Sequence, residues 1–451
     1  MEQTKKQINF NFDLLLKILF ISSLVGFGIY VVLAIVFACT KSTYIFANTP
    51  FSDFAETLSY AVCKNPYTGE YGIRSIYPPL SFLIFYPFTL ICWGPLYQYI
   101  NGTITLANLS ANPLYLISYF LFYLINLVII MLVVAKLSKL KGKQLFYVLT
   151  IVFCFGPLLF NFVRANNTLV TFMLALLFFY LNNEDVKWKK ELSYVCLAGA
   201  ICTKIYPAFI IFYLIFKEKG LNKLWSVLKT LAYALILVFL PFVFIEGGFS
   251  NISVLLKNVT GFSSGSSGVS PTAWYTNVSL ETIIIRFCEA LSFVFGGANM
   301  DILHSILSKL LRYGLLLIAL ILPFMSFKSN KNKEFVALAV GTYLLFPGVC
   351  NGYCLTLMII PFIFLLKDWN NMSSKDKIFY TVCYILIANP LFYIYNNFLI
   401  SALATLTIVV KSIVDIIRDD VRIFKQSKNP ALISDNQTTN QEQTTKQKQS
   451  A

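Results

Sequence analysis

The sequence predicts an all-α polytopic membrane protein, a multi-helix bundle with about 10–12 transmembrane helices. Three observations carry that reading. Hydrophobic residues fill 57% of the 451 positions and charged residues 13%, against about 25% charged in soluble domains. Mean hydropathy is +0.69, an apolar excess that one or two water-soluble cores cannot bury. The apolar runs, Leu14–Ala38 and Tyr115–Ala135 among them, are long and unbroken, whereas outer-membrane strands alternate in short segments. The charge of +15, from 36 Lys+Arg against 21 Asp+Glu, collects in short loops between these runs. That is the placement that orients helices against membrane lipids, and it gives no footprint for nucleic acid.

The first run exceeds a leader's apolar region and no A-x-A-type site follows it, so it reads as a retained first span. Lys5, Lys6 and Lys17 then lie inside, in a multi-pass protein of the cell membrane. Spans near 14–38, 113–135, 144–161, 167–181, 224–245, 302–326, 335–348, 353–366, 378–394 and 397–417, plus one hairpin, leave both termini cytoplasmic. They also put the basic loops Lys136–Lys143, Lys187–Lys190, Lys217–Lys229, Lys328–Lys333 and Lys367–Lys377 inside. Tyr77–Tyr99 is apolar but interrupted by Pro78, Pro79, Pro87 and Pro95. It reads as lying along or dipping into the outer leaflet. Leu192–Phe216 reads as the hairpin, with Lys204 at its outer turn. The polytopic unit covers 1–424, with extracytoplasmic loops at 39–112 and 246–301. The second loop contains the Gly/Ser run Phe262–Gly268. A cytoplasmic tail, 425–451, is expected to be disordered, being rich in Gln, Thr and Asn after Ile433.

Candidate chemistry gathers on the outer side. Asp53 and Glu56 are three apart, so on a short helix they share a face, and Pro50 and Ser52 suit its start. Such a pair serves helix capping at a membrane surface as well as acid–base work. Asn65-Pro-Tyr67, Arg74 and Tyr77-Pro-Pro-Leu80 follow. Arg164, before Asn166 and Asn167, and Lys204 stand at outer turns, where cations are few. Each suits snorkelling to headgroups and equally a clamp on a lipid-linked phosphate. Trp274 and Tyr275 suit stacking on a sugar ring or an interfacial belt. Ser279-Leu-Glu281 looks like a helix start. The ten cysteines are scattered without a CxxC, and His304 is the one histidine, so no metal site is expected.

In order, Asp53 after the first span, Asn65-Pro-Tyr67, Tyr77-Pro-Pro-Leu80, Asn166-Asn167 heading an apolar helix, Ala200–Pro207 and Asn277-Val-Ser-Leu280 resemble the motifs of the C-type glycosyltransferases. The resemblance is closest to glycosyltransferase family 87, the polyprenyl-phosphate-mannose-dependent mannosyltransferases, and covers roughly 10–400. It implies a helix bundle with a catalytic first extracytoplasmic loop and Asp53 as general base. It also implies a polyprenyl-phosphate-linked sugar donor, a lipid or glycan acceptor and no cofactor. Donor-phosphate contacts would come from Arg164, Lys204 and Arg74. Substrate contacts would come from Glu56, Tyr67, Tyr77, Asn166, Asn167, Trp274, Tyr275, Asn351 and Tyr353. Many members carry His in the late outer turn, which here reads Pro347–Tyr353 without one. The alternative is a transporter or flippase of lipid-linked saccharides. It would place ionisable groups deep in helices or repeat broken helices in matching halves; here mid-helix charges are few and the halves do not match.

Overall fold

The computed structural model describes residues 12–39, 51–69, 74–263, 277–297, 299–326, 331–396 and 398–428. Among these the chain is helical throughout, apart from turns and one isolated bridge between Asn277 and Asn351. The helices are α1 (Phe12–Cys39), α2 (Ser52–Val62), α3 (Leu80–Ile91), α4 (Trp93–Ile100), α5 (Leu106–Ser110), α6 (Pro113–Ser138), α7 (Gly142–Phe153), α8 (Gly156–Arg164), α9 (Thr168–Asn182) and α10 (Lys187–Thr203). They continue as α11 (Ile211–Lys217), α12 (Asn222–Phe239), α13 (Asn251–Ser263), α14 (Leu280–Val294), α15 (Asp301–Met325), α16 (Asn332–Leu345), α17 (Ile359–Lys367), α18 (Ser374–Ala388) and α19 (Leu399–Lys428).

Five of these are long and apolar enough to cross a membrane by themselves: α1, α6, α12 with its 3₁₀ extension to Phe244, α15 and α19. At 1.5 Å per residue, the 26 residues of α6 reach about 39 Å, past a hydrocarbon core of about 30 Å. Its start is set by Asn112, whose side chain accepts from the Leu114 N–H at 3.0 Å, and by Pro113. Large apolar side chains point outward from α1 (Val32, Ile35), α12 (Leu231, Leu235) and α15 (Leu310, Leu317), as lipid contact requires.

The inner helices are shorter than the sequence leads one to expect. The crossings expected at 167–181, 335–348 and 353–366 are α9, α16 and α17, of 15, 14 and 9 residues. They can be short because protein surrounds them. Every residue of α16 from Glu334 on is buried, as is the 3₁₀ turn Gly352–Met358 leading into α17. Irregular backbone at membrane depth is tolerated where protein covers it. The 144–161 stretch is the pair α7 and α8, bent by 42°, and with the other bent pair the count of spans rises to seven. That other pair, α3 and α4, turns by 112° at Cys92, so 80–100 makes no straight crossing. In 192–216, α10 ends at Lys204, then a 3₁₀ turn (Tyr206–Ile210) and α11 lead away. Helix α19 continues to Lys428, past the boundary expected for a disordered tail. The i,i+3 pairs Asp415–Arg418 and Asp419–Arg422 lie along its last turns.

One packing feature positions the site. Phe54 of α2 is fully buried, with ring centroids 5.8 Å from Phe85, 5.6 Å from Tyr115 and 5.4 Å from Phe122. Such aromatic packing pins α2 across α3 and α6. Its other face, carrying Asp53 and Glu56, is thereby held at the top of the bundle.

Candidate active site

Two turns meet where α2 begins and α8 ends. Phe51 and Ala165 both adopt left-handed backbone, with φ of 62° and 57°, and Lys139 is the third non-glycine of this kind among the described residues. Such residues cost about 1–3 kcal/mol each and persist where surroundings over-determine them. Here the Phe51 N–H donates to the Val163 carbonyl at 2.9 Å. The Tyr115 hydroxyl donates to the Phe51 carbonyl at 2.7 Å, and the Ala165 N–H to the Asn161 carbonyl at 2.7 Å. These bonds clamp the turns together and bring side chains 111 positions apart into contact.

The contact is an ion pair. Arg164 Nη2 donates to Asp53 Oδ1 at 2.5 Å, the side chains being 23% and 10% exposed. Asn166 Nδ2 donates to the second oxygen, Oδ2, at 2.8 Å. Asn166 Oδ1 in turn accepts from the Thr168 N–H at 2.9 Å and from the Thr168 hydroxyl at 2.7 Å. Lys204 Nζ donates to that hydroxyl at 2.6 Å and lies 4.9 Å from the centre of the Tyr353 ring. A continuous chain of donors therefore runs from Lys204 through Thr168 and Asn166 to Asp53. The Ser52 hydroxyl donates to Asp53 Oδ1 as well, at 3.3 Å; a carboxylate held by three donors still has a lone pair to accept a proton.

Beside the chain lies a cleft of about 180 Å³, with Lys204 as its one charged wall group among the described residues and Tyr77, Tyr206, Asn351 and Tyr353 around it. Tyr77 bridges it to the carboxylates: its hydroxyl accepts from Asn166 Nδ2 at 3.5 Å. Burial first, and then Asp53 and Glu56, push that hydroxyl's pKa up. Asn351 Nδ2 donates to the Tyr353 hydroxyl at 2.8 Å. Their turn is fixed from two sides. Asn277 Nδ2 donates to the Gly348 carbonyl and its Oδ1 accepts from the Cys350 N–H. At Gly352 a Cβ would lie 2.2 Å from the Phe398 ring, so only glycine fits.

The expected residues divide accordingly. Asp53, Arg164, Asn166, Lys204, Tyr77, Asn351 and Tyr353 come together. Glu56 lies one turn along α2, with the Tyr60 hydroxyl donating to its Oε1 at 2.8 Å. Tyr67 is fully buried between Phe82 and Phe242, and its hydroxyl donates to the Tyr77 carbonyl at 3.1 Å. It supports Tyr77 instead of facing the cleft. Asn167 is likewise buried, its Nδ2 3.5 Å from Ser81 Oγ and 3.4 Å from the Thr203 carbonyl. Arg74 is exposed beside Gly69 and stands apart from the cluster. Trp274 and Tyr275 lie outside the described residues, as does Ser264–Gly268 of the Gly/Ser run. His304 is not at the cleft. Its Nε2 is 2.8 Å from Glu281 Oε1, in a group with Ser308 and Arg312, whose Nε donates to the Phe346 carbonyl at 2.7 Å.

Thr168, which joins Lys204 to Asn166, escaped sequence reasoning. Its one signal is its place in the first turn of a helix after two asparagines. Asn258 escaped that reasoning too: its Nδ2 donates to the Tyr67 and Ser75 carbonyls, both at 3.1 Å, while Asn65, of the Asn65-Pro-Tyr67 motif, binds Asn251 at 2.8 Å. They fasten the segment between α2 and α3 to α13.

A bundle of membrane helices with a buried acid–cation cluster beside a cleft describes a membrane-embedded enzyme in general terms. The sequence model of glycosyltransferase family 87 matches residues 76–348, more than half of the chain. The chain therefore belongs to glycosyltransferase family 87 and is a membrane glycosyltransferase. The matched stretch includes Tyr77, Arg164, Asn166 and Lys204, and begins after Asp53. No curated protein matches the chain.

Proposed function

We propose that the protein transfers a hexose, mannose by the family resemblance, from a polyprenyl-phosphate-linked donor to a lipid or cell-envelope glycan acceptor. Transfer takes place on the extracytoplasmic side and inverts the anomeric centre. One observation carries this reading: the Asp53 carboxylate, oriented by Arg164 and Asn166, stands next to a cleft whose charged wall group is Lys204. An acceptor hydroxyl attacks the anomeric carbon, forming the new C–O bond as the bond to the phosphate oxygen breaks. Its proton passes to Asp53, and polyprenyl phosphate leaves with the bonding pair. General-base help of this kind contributes about 10²–10⁴-fold. Lys204, on the cleft wall, and Arg164, beside Asp53, stabilise negative charge growing on the leaving phosphate in this reading. No metal is invoked, because the leaving group is already a phosphate.

The test is Asp53→Asn, assayed in membranes for sugar transfer from a radiolabelled polyprenyl-phosphate sugar. The variant keeps the shape of the side chain but offers no basic oxygen anion. Expected is loss of about 10²–10⁴-fold in rate with normal membrane insertion; transfer near the wild-type rate removes Asp53 from the role.

A further inference from the structure

A second cavity, about 250 Å³, lies along α2, its wall beginning at Glu56, one helical turn from Asp53. Glu56, Ser59 and Tyr60 of α2 form one wall, and Asn65, Tyr99 and Ile104 lie opposite. We propose that this cavity seats the saccharide headgroup of a neutral, membrane-borne acceptor, with its attacking hydroxyl directed at Asp53. The assignment rests on the glycosyl-transfer reading above.

Charge separates the two cavities. Among the described residues, the first has a lysine and no carboxylate on its wall, and the second has Glu56 as its only charged wall group. A phosphate is drawn to the first; the second offers it no cation and, where Glu56 is ionised, repels it. A polyol suits the second, since a carboxylate accepts from sugar hydroxyls and tyrosine rings face sugar rings well. Position agrees. Asp53 and Glu56 are one helical turn apart, and Tyr77, on the wall of the first cavity, feels both carboxylates. Asp53 is thus one helical turn from Glu56 of the second cavity and is joined through the Asn166 amide to Tyr77 of the first. Burial, reinforced by Asp53, holds the Glu56 carboxyl above its ordinary pKa, against the pull of the Tyr60 hydroxyl and Arg164. In its protonated form it can donate to a sugar oxygen as well as accept from one. The cavity's rim is the end of α4 and the turn after it, and α4 exposes Trp93 and Tyr97. Such amphipathic aromatics favour the bilayer surface, which points to an acceptor delivered from the lipid phase.

Cys63 lies on this wall and is half-buried, whereas the other eight described cysteines are buried. In a Cys39→Ser background, in lipid nanodiscs, its modification by N-ethylmaleimide reports occupancy. The probes are octyl glucoside, galactoside and mannoside below micelle-forming concentrations, their methyl counterparts, and undecaprenyl phosphate. Expected is that at least one octyl hexoside slows modification severalfold, that its methyl counterpart does so less, and that undecaprenyl phosphate does not. Glu56→Ala and the cavity-filling Ile104→Trp should each abolish the protection while undecaprenyl phosphate still binds by native mass spectrometry. In transfer assays Glu56→Ala should raise the acceptor KM about 10- to 100-fold with the donor KM unchanged. The proposal is overturned if no octyl hexoside alters the Cys63 rate, or if undecaprenyl phosphate protects as well. Equal protection by methyl and octyl hexosides overturns the membrane-borne acceptor. Failure of the wild-type protein to transfer sugar from a polyprenyl-phosphate donor overturns the underlying reading instead, and is read in a separate assay.

Discussion

Replacing Thr168 by valine removes one hydroxyl from the middle of the chain joining Lys204 to Asp53. The side chain is fully buried, and valine keeps its branching, so packing changes little. Two hydrogen bonds disappear. The one from Lys204, at 2.6 Å, is charge-assisted and is worth about 1.5–3 kcal/mol. The one to Asn166, at 2.7 Å, is neutral and is worth about 0.5–1.5 kcal/mol. Part of each is retained. Lys204 keeps the Tyr353 ring at 4.9 Å, and Asn166 Oδ1 keeps the Thr168 N–H at 2.9 Å. The net loss expected in transition-state stabilisation is about 1.4–2.8 kcal/mol, or about 10- to 100-fold in kcat/KM. The assay is initial-rate transfer from a radiolabelled polyprenyl-phosphate sugar, with donor and acceptor varied separately. A positioning role also requires that Thr168→Ser, which retains the hydroxyl, restores most of the rate. If Thr168→Val stays within about twofold of wild type while Asp53→Asn is inactive, the hydroxyl does not connect Lys204 to the base.

Other outcomes follow from single contacts. The raised pKa of Glu56 means that the folded state holds its proton more tightly than the unfolded chain. That contribution to stability is complete below the ordinary value of 4.5 and is lost as pH rises through the folded value. The wild-type melting temperature should therefore fall with pH across that window more than that of Glu56→Gln; equal pH slopes would contradict the burial argument. Ala165 sits at φ 57°, so Ala165→Val should lower stability by about 1–3 kcal/mol, while Ala165→Gly should not lower it. Thermal melts in detergent compare the two. Glu281→Ala strands Arg312 and Ser308 where Glu281, with a side chain 10% exposed, held them. A loss of about 1–3 kcal/mol is expected, less than for a fully buried pair because Arg312 is 26% exposed. An unchanged melt would show that the group is solvated.

Where lipid surrounds a helix, its length was legible in the sequence. The apolar runs at 14–38, 113–135 and 302–326 are α1, α6 and α15, to within a few residues. Lipid demands a full-length apolar cylinder, so the run and the helix coincide. Inside the bundle the correspondence fails. Leu344 and Leu345 look the same to a hydropathy count whether their neighbours are lipid tails or α19, and only lipid sets a minimum length. The bent pairs divide in the same way. Four prolines made 77–99 readable as something other than a straight crossing, and the chain turns by 112° at Cys92. The bend between α7 and α8 follows Cys154 and Phe155 before Gly156-Pro157, a weaker signal that an apolar count passes over.

The site was legible where charge is scarce and hidden where polarity serves structure. Arg164 and Lys204 stood out because cations were expected to be few at the turns where they lie, and Asp53 stood out through the family resemblance, its spacing alone suiting a helix start equally well. Tyr67 and Asn167 looked alike as motif residues, but they hold backbone. What the sequence could not show is direction. A lysine ammonium only donates and an ionised carboxylate only accepts, so the groups between them have no choice of orientation. The Thr168 hydroxyl accepts from Lys204 and so turns its proton to Asn166 Oδ1; that sets the amide with Nδ2 toward Asp53. An aspartate at 166 would put acceptor against acceptor across the same 2.8 Å gap. The amide meets both demands without a charge, accepting at one end and donating at the other.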